Sequence, residues 1–383
     1  MIKTNFFTEK EIGQQPVLWQ KVHELVLSQK REIARFLANI RQQKDSEIIF
    51  TGAGSSFFIG EMVAGYFQNN TGLSSKAIST TEIVTHPHLY INPEKQTLLV
   101  SFARSGNSPE SVAAVNNSDK ISGKILHLII TCNNQGELAK MDSPNDKYVL
   151  TLPEEANDKG LAMTSSVSSM ALVALLISRL DEIELLQSQI DIASQYASHI
   201  ISTYSSPIQR LAELDFKRAV FLGSGPFLGV AREAHLKLQE MTDGKVICKF
   251  DSFLGFRHGP KVVLDKTTLL VYFFSNDSYV LKYETDLLHS IAKDHELLAV
   301  MGISETKLNG TDFDLEINMS DSTTHLDEEF LTLCSLIPAQ LLGFYKSLNM
   351  GLNPDQPSNG AIHRVVQGVT IYDFHIKELI SKA

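Results

Sequence analysis

Two groups of residues in this 383-residue chain have the types and spacing to do chemistry. The first is the run Ser101-Phe102-Ala103-Arg104-Ser105-Gly106-Asn107-Ser108-Pro109-Glu110-Ser111, placed directly after the apolar stretch Thr97-Leu98-Leu99-Val100. Pro109 at a first helical position loses no hydrogen bond and Glu110 suits the positive helix end, so the run reads as strand, hydroxyl-rich turn, helix start. Such a turn presents backbone N–H groups and Ser hydroxyls to an anion, as a phosphate cradle would; an ordinary capped surface turn has the same local sequence. The second group, Glu233, Lys237 and Glu240, recurs at spacings of four and three and so shares one helical face. A solvated salt-bridged stripe would have that pattern too. What favours a site is its helix, which starts at the Gly223-Ser224-Gly225 turn, where doubly wound folds bind ligands. A third feature is the loop Gly255-Phe256-Arg257-His258-Gly259-Pro260-Lys261. Its His258 is either an exposed bystander or a side chain suited to shuttle a proton near neutral pH.

The elements that must position these residues are legible in outline. Thr8-Glu9-Lys10-Glu11 has capping-box spacing and Pro16 can open a helix, so residues 8–43 read as a helical arm that packs against a domain. From Glu47 onward, apolar strands at Lys76–Ser79, Thr97–Phe102, Ile125–Ile130 and Tyr148–Leu152 alternate with helical patterns, the signature of a parallel sheet covered on both faces. A long helical stretch from Met163 to about Ile201 closes this half, and Tyr204-Ser205-Ser206-Pro207 reads as a linker.

The second half repeats the first. Phe221-Leu222-Gly223-Ser224-Gly225 follows Phe50-Thr51-Gly52-Ala53-Gly54, and Thr268-Leu269-Leu270-Val271 follows Thr97-Leu98-Leu99-Val100, both at an offset of 171 (223 minus 52, 268 minus 97). A constant offset implies an internal duplication. The fold class is therefore α/β, two tandem doubly wound parallel-sheet domains: 1–44 the arm, 45–204 the first domain and 205–383 the second with a C-terminal tail. The copies diverge at the turn, where Asp277 stands opposite Gly106. An Asp there repels a phosphate, so the first copy reads as the phosphate holder.

Other chemistries fit less well. Gly52-x-Gly54 after a strand invites a dinucleotide reading, but the next strand ends in Thr80-Thr81 instead of an acidic residue and the third glycine is misplaced at Gly60. His86-Pro87-His88 has no third ligand nearby, and Cys132, Cys248 and Cys334 form neither a C-x-x-C pair nor an even set. No cofactor and no metal are expected. A formal net charge of −10 argues against nucleic-acid and membrane-surface partners. The segment Met1-Ile2-Lys3-Thr4-Asn5 has no signal-peptide pattern, and no run of apolar residues could span a bilayer, so a cytoplasmic protein is expected.

On these segments the chain resembles the sugar isomerase (SIS) domain proteins. The likeness is carried by Thr51-Gly52-Ala53-Gly54-Ser55-Ser56, by Ser101 to Ser111, by the helix Glu233 to Met241, by Phe256 to Lys261 and by Val365-Val366-Gln367-Gly368-Val369-Thr370. It is closest to the tagatose-6-phosphate ketose/aldose isomerase and galactosamine-6-phosphate deaminase subgroup, through Met163-Thr164-Ser165-Ser166 and His363-Arg364-Val365-Val366-Gln367-Gly368. It is similar more distantly to the isomerase half of glucosamine-6-phosphate synthase.

The resemblance implies flavodoxin-like sheets and phosphate contacts from Arg104, Ser105, Asn107 and Ser108, with Gly54, Ser55 and Ser56 beside the sugar or phosphate. It also implies Glu240 as enolisation base, with Lys237 beside it, and His258 for ring opening, reaching across a subunit interface of a homodimer or higher homo-oligomer. The synthase's Schiff-base Lys after Asp-Gln-Pro has no counterpart: Asp355-Gln356-Pro357 leads to His363-Arg364 without a Lys. The expectation is a cofactor-free deaminase/isomerase whose partner is a small phosphosugar. A plain aldose–ketose isomerase and a non-catalytic phosphosugar sensor are the competing readings.

Overall fold

The computed structural model describes residues 6–43, 45–320, 324–358 and 362–375. The segment 1–5 read above for a signal peptide lies outside the described residues, as do 359–361 between Asp-Gln-Pro and His363. The strands β1 Glu47–Thr51, β2 Ser74–Ala77, β3 Thr97–Ala103, β4 Ile125–Thr131 and β5 Lys147–Thr151 form one sheet in the order β2-β1-β3-β4-β5. The strands β6 Arg218–Gly223, β7 Ile247–Asp251, β8 Thr268–Phe273, β9 Ala299–Ser304 and β10 Leu315–Asn318 form another in the order β7-β6-β8-β9-β10. All pairings are parallel, and the two orders are the same flavodoxin-like winding.

Helices of eight residues or more are α1 Phe7–Ser28, α2 Lys30–Gln42, α3 Ser55–Thr71, α4 Pro109–Ile121, α5 Ser165–Ser178, α6 Gln187–His199, α7 Ser205–Ala212, α8 Pro226–Met241, α9 Ser278–Asp294 and α10 Glu328–Asn349. Alternation along the central strands explains the layers. Leu98, Val100 and Phe102 of β3 and Leu269, Val271 and Phe273 of β8 point into one core shared by both sheets, which the apolar sides of α1, α3, α5, α8 and α10 fill. Leu99 and Ala103 face a second core under α4, while Leu270 and Tyr272 face a third under α9. Strands covered on both faces must be apolar throughout, which is why they read as continuous runs.

The duplication holds at the level of backbone angles. Gly54 (φ 56°, ψ −128°) and Gly225 (φ 52°, ψ −125°) occupy equivalent positions just before α3 and α8, in a conformation open to glycine. These equivalent helices also pack on one another. Gly229 makes the close approach possible, since a Cβ there would stand 2.7 Å from the Met62 backbone nitrogen. Arg232 on α8 pairs with Glu61 on α3, residues separated by the same offset of 171 (232 minus 61).

Four local expectations are corrected. The Thr8–Glu11 capping box does not form: α1 starts at Phe7, and its N-terminal N–H groups of Phe7 and Thr8 are taken by the carboxylate of Asp355, from the far end of the chain. Pro16 lies inside α1 instead of opening it. Residues 204–207 are not a linker, because the π-helical turn Ile200–Tyr204 runs straight into α7, whose first turn tolerates Pro207. The stretch from Met163 to Ile201 is likewise two helices, α5 and α6, separated by the 3-10 turn Leu180–Glu182 and its flanks.

Candidate active site

A cleft of about 220 Å³ opens at the C-terminal ends of the first sheet's strands, where α8 of the second half reaches over. That is below the roughly 300–1,000 Å³ typical of drug-sized ligands, so it suits something of hexose-phosphate size better than a dinucleotide. One wall is the β3–α4 turn. Ser105 and Ser108 line it; Ser108 occupies the N-cap of α4, yet its hydroxyl caps no backbone N–H, and Glu110 stands in the first turn of the helix. Gly106, at φ 68°, bends the turn.

Arg104 lines the floor, 6% exposed. Its guanidinium donates to the carbonyls of Gly160 (3.3 Å), Leu161 (2.9 Å) and Arg364 (3.2 Å). Burial, then the like charge of Arg364, lowers its pKa from the ordinary arginine value. Asn107 stands apart: its exposed side chain accepts a hydrogen bond from the Glu137 backbone N–H at 3.0 Å and does not line the cleft.

The β1–α3 turn forms the second wall. Gly54, Ser55 and Ser56 line it, with the Ser55 hydroxyl donating to Glu233 Oε1 at 3.1 Å and Ser56 Oγ lying 3.9 Å from Met163 Sδ.

The third wall is α8. Glu233 and Lys237 are buried, so the predicted face is no solvated stripe. Lys237 Nζ donates to Glu240 Oε2 at 2.7 Å and lies 3.3 Å from Glu233 Oε1. Burial opposes the Lys237 ammonium, but Glu233 and Glu240 outweigh it and hold its pKa above the ordinary lysine value. A lysine so held is a cation, a poor nucleophile, and a fixed counter-charge for the partly exposed Glu240. Burial drives the Glu233 carboxyl upward against the pull of Lys237, and its Oε2 has no hydrogen-bond partner.

His258 is elsewhere. It sits exposed in the turn after the short helix Phe253–Phe256, among the exposed apolar side chains of Leu254 and Val262, and does not line this chain's cleft. The place of the tail escaped the sequence reading, whereas Glu233, singled out there with Lys237 and Glu240, is buried and does not itself line the cleft. His363 and Arg364, with Ile362 and Val366, close the cleft from the tail; the motif carried a family likeness but no local signal of where it lands. Among the described residues no three His, Cys, Asp or Glu side chains are grouped to hold a metal ion, and no helix is long and apolar enough to cross a membrane.

Known proteins resemble this chain in sequence and fold. The SIS domain model matches residues 39–179. The D-galactosamine-6-phosphate deaminase AgaS of Shewanella sp. (strain ANA-3) is 40% identical, over 96% of this chain and 92% of the relative. A crystal structure from Clostridium novyi NT, described as a candidate tagatose-6-phosphate ketose/aldose isomerase, superposes with a TM-score of 0.92 at 41% identity, over 96% of this chain and 95% of that one. The tagatose-6-phosphate ketose/aldose isomerase of Escherichia coli gives a TM-score of 0.88 at 34% identity, over 98% of each chain. Fold and sequence likeness agree over nearly the whole length, and the chain belongs to the SIS-domain sugar isomerase family.

Proposed function

We propose that the chain is a cofactor-free deaminase/isomerase converting galactosamine 6-phosphate and water to tagatose 6-phosphate and ammonia. The observation that carries this is the meeting, in one cleft, of an uncapped hydroxyl-rich turn from the first copy with the Lys237–Glu240 pair from the second. The names of the 36–40% identical relatives support the substrate.

The chemical problem is a weakly acidic C–H beside a carbonyl. Ser105, Ser108 and the α4 N-terminus hold the phosphate beside Arg104, and this remote binding energy sets C1 and C2 of the opened sugar against Glu240. Glu240 removes the C2 proton, giving an enolamine, and returns it to C1. The resulting ketimine adds water at C2 and expels ammonia. Lys237 donates to Glu240 and stands as its counter-charge. Gly54, Ser55 and Ser56 hold the sugar end. Ring opening falls to His258; its exposure and its distance from its own chain's cleft favour delivery by a second copy in a homo-oligomer with shared sites. The cytoplasm is the compartment that fits a phosphosugar substrate.

The names of the neighbouring structures favour one alternative, plain interconversion of tagatose 6-phosphate with its aldose, which uses the same groups without an amine. An ammonia-release assay on galactosamine 6-phosphate separates the two. Glu240→Gln should lower turnover by about 10²–10⁴-fold while leaving phosphosugar affinity nearly intact. Near wild-type turnover in this variant would remove Glu240 from the mechanism.

A further inference from the structure

The arm helix does more than pack. Near its start it is tied to the floor of the cleft through the segment 157–161. Glu11, 6% exposed, accepts hydrogen bonds from the backbone N–H groups of Lys159 (2.5 Å, Oε1) and Gly160 (3.3 Å, Oε2). The carbonyls of Gly160 and Leu161, on the far side of the same segment, receive Nη1 of Arg104. Three further ties fix the segment. Asp158 lays its carboxylate on the N–H groups of Thr164, Ser165 and Ser166 at the start of α5. Arg364 donates to the Asn157 side chain and the Asp158 carbonyl. Asp355, which caps α1, accepts from the Leu161 N–H through its own carbonyl at 3.0 Å.

We propose that Glu11 is a positioning residue for the anion cradle: by holding the Lys159 and Gly160 N–H groups it aims the next carbonyls at Arg104 and so fixes where the guanidinium stands. This rests on reading the cleft as a phosphosugar site. Glu11 does not line the cleft, so it acts on a ligand only through this relay. The fit is tight, since a Cβ on Gly160 would lie 2.8 Å from Thr8 Oγ1 and 3.1 Å from Glu11 Oε2.

Removing the carboxylate leaves two N–H groups without their acceptor, and the segment must move to find another. Burial and the charge of Asp158 raise the Glu11 carboxyl to about 7, with Asp355 adding and the two N–H bonds opposing. Both protonation states keep an acceptor oxygen for the segment. A glutamine does the same, which supplies the conservative variant.

The test uses the full chain and galactitol 6-phosphate, an open-chain hexitol phosphate that cannot enolise, titrated by calorimetry. Glu11→Ala should raise its Kd about tenfold, roughly 1.4 kcal/mol, whereas Glu11→Gln should stay within about threefold of wild type. Gly160→Ala, which pushes the segment off the arm by the other route, should also weaken binding and serves if Glu11→Ala fails to fold. A lower melting temperature with wild-type Kd in the folded variants would show a structural role alone and overturn the inference. If wild-type protein itself fails to bind the hexitol phosphate, the phosphosugar reading falls and this inference with it.

Discussion

The two β–α turns at the same place in the two copies have found opposite answers to one electrostatic problem. A helix start leaves N–H groups unpaired and a partial positive charge. In the first copy Ser108 stands at that position without capping, and the turn opens into the cleft. In the second, Asp277 turns its carboxylate onto the N–H groups of Tyr279 (2.7 Å) and Val280 (3.1 Å) at the start of α9. Glu284 fills what remains, accepting from the Ser275 N–H at 3.0 Å in full burial. The second turn meets its helix start with a capping carboxylate; the first has an uncapped Ser108 beside the cleft, with Glu110 in the first turn of the helix. The same divergence runs through the paired helices. Lys237, Glu240 and Glu233 on α8 stand opposite Tyr66, Asn69 and Met62 on α3 at the constant offset (237 minus 66 is 171). At these places α8 carries ionisable groups, two of which line the cleft, while α3 has a hydroxyl bonded to Glu328, an exposed amide and a buried Met62.

This comparison can be broken directly. The largest effect should come from Ser105→Asp, which gives the first turn the kind of charge the second already holds. Like-charge contact in a partly buried site should weaken hexitol phosphate binding about 100-fold or more, and unchanged affinity would move the phosphate site elsewhere. Asp277→Ala should leave ligand affinity alone and cost about 1 kcal/mol of stability through the lost cap, read as a shift in the denaturation midpoint. A loss of affinity instead would mean that the second turn is part of the site.

The smallest effect concerns Glu284, raised by burial from its ordinary value of 4.5 to about 7 against its bonds from Ser224 and Ser275. A carboxyl whose folded pKa is raised takes up protons more readily than in the unfolded chain. Its contribution to stability is therefore greatest below about 4.5 and declines as pH rises to about 7. Glu284→Gln should make the fall in melting temperature across that window shallower by about 2 °C. Identical slopes would show that Glu284 is ionised throughout.

Much of the fold was legible because its causes are local. Strands covered on both faces must be apolar throughout, so β3 and β8 announced themselves, and their matching register revealed the duplication. The Ser108-Pro109-Glu110 helix start was equally plain. What stayed hidden depends on partners far along the chain. The cap of α1 comes from Asp355, so Thr8 and Glu11 looked like a capping box while in fact serving Asp355 and the 159–160 backbone. Arg104 read as a free phosphate ligand, yet three backbone carbonyls hold it. Asn107 faces the Glu137 N–H for a reason no turn motif encodes, and the tail residues 362–366 meet the cleft from more than 250 positions beyond Arg104.

The seam between α3 and α8 has a consequence for the chain as a whole. Gly229 lets the two helices lie against each other, and the apolar core runs through them from sheet to sheet. Neither half is a detachable module. A chain cut after Tyr204 would leave Met62 and Val63 of α3 bare to water on one piece and Val230 and Leu238 of α8 on the other. The helix that carries Glu240 is also the inner wall of its own half, so the joint that holds the molecule together and a wall of the cleft are a single piece of secondary structure.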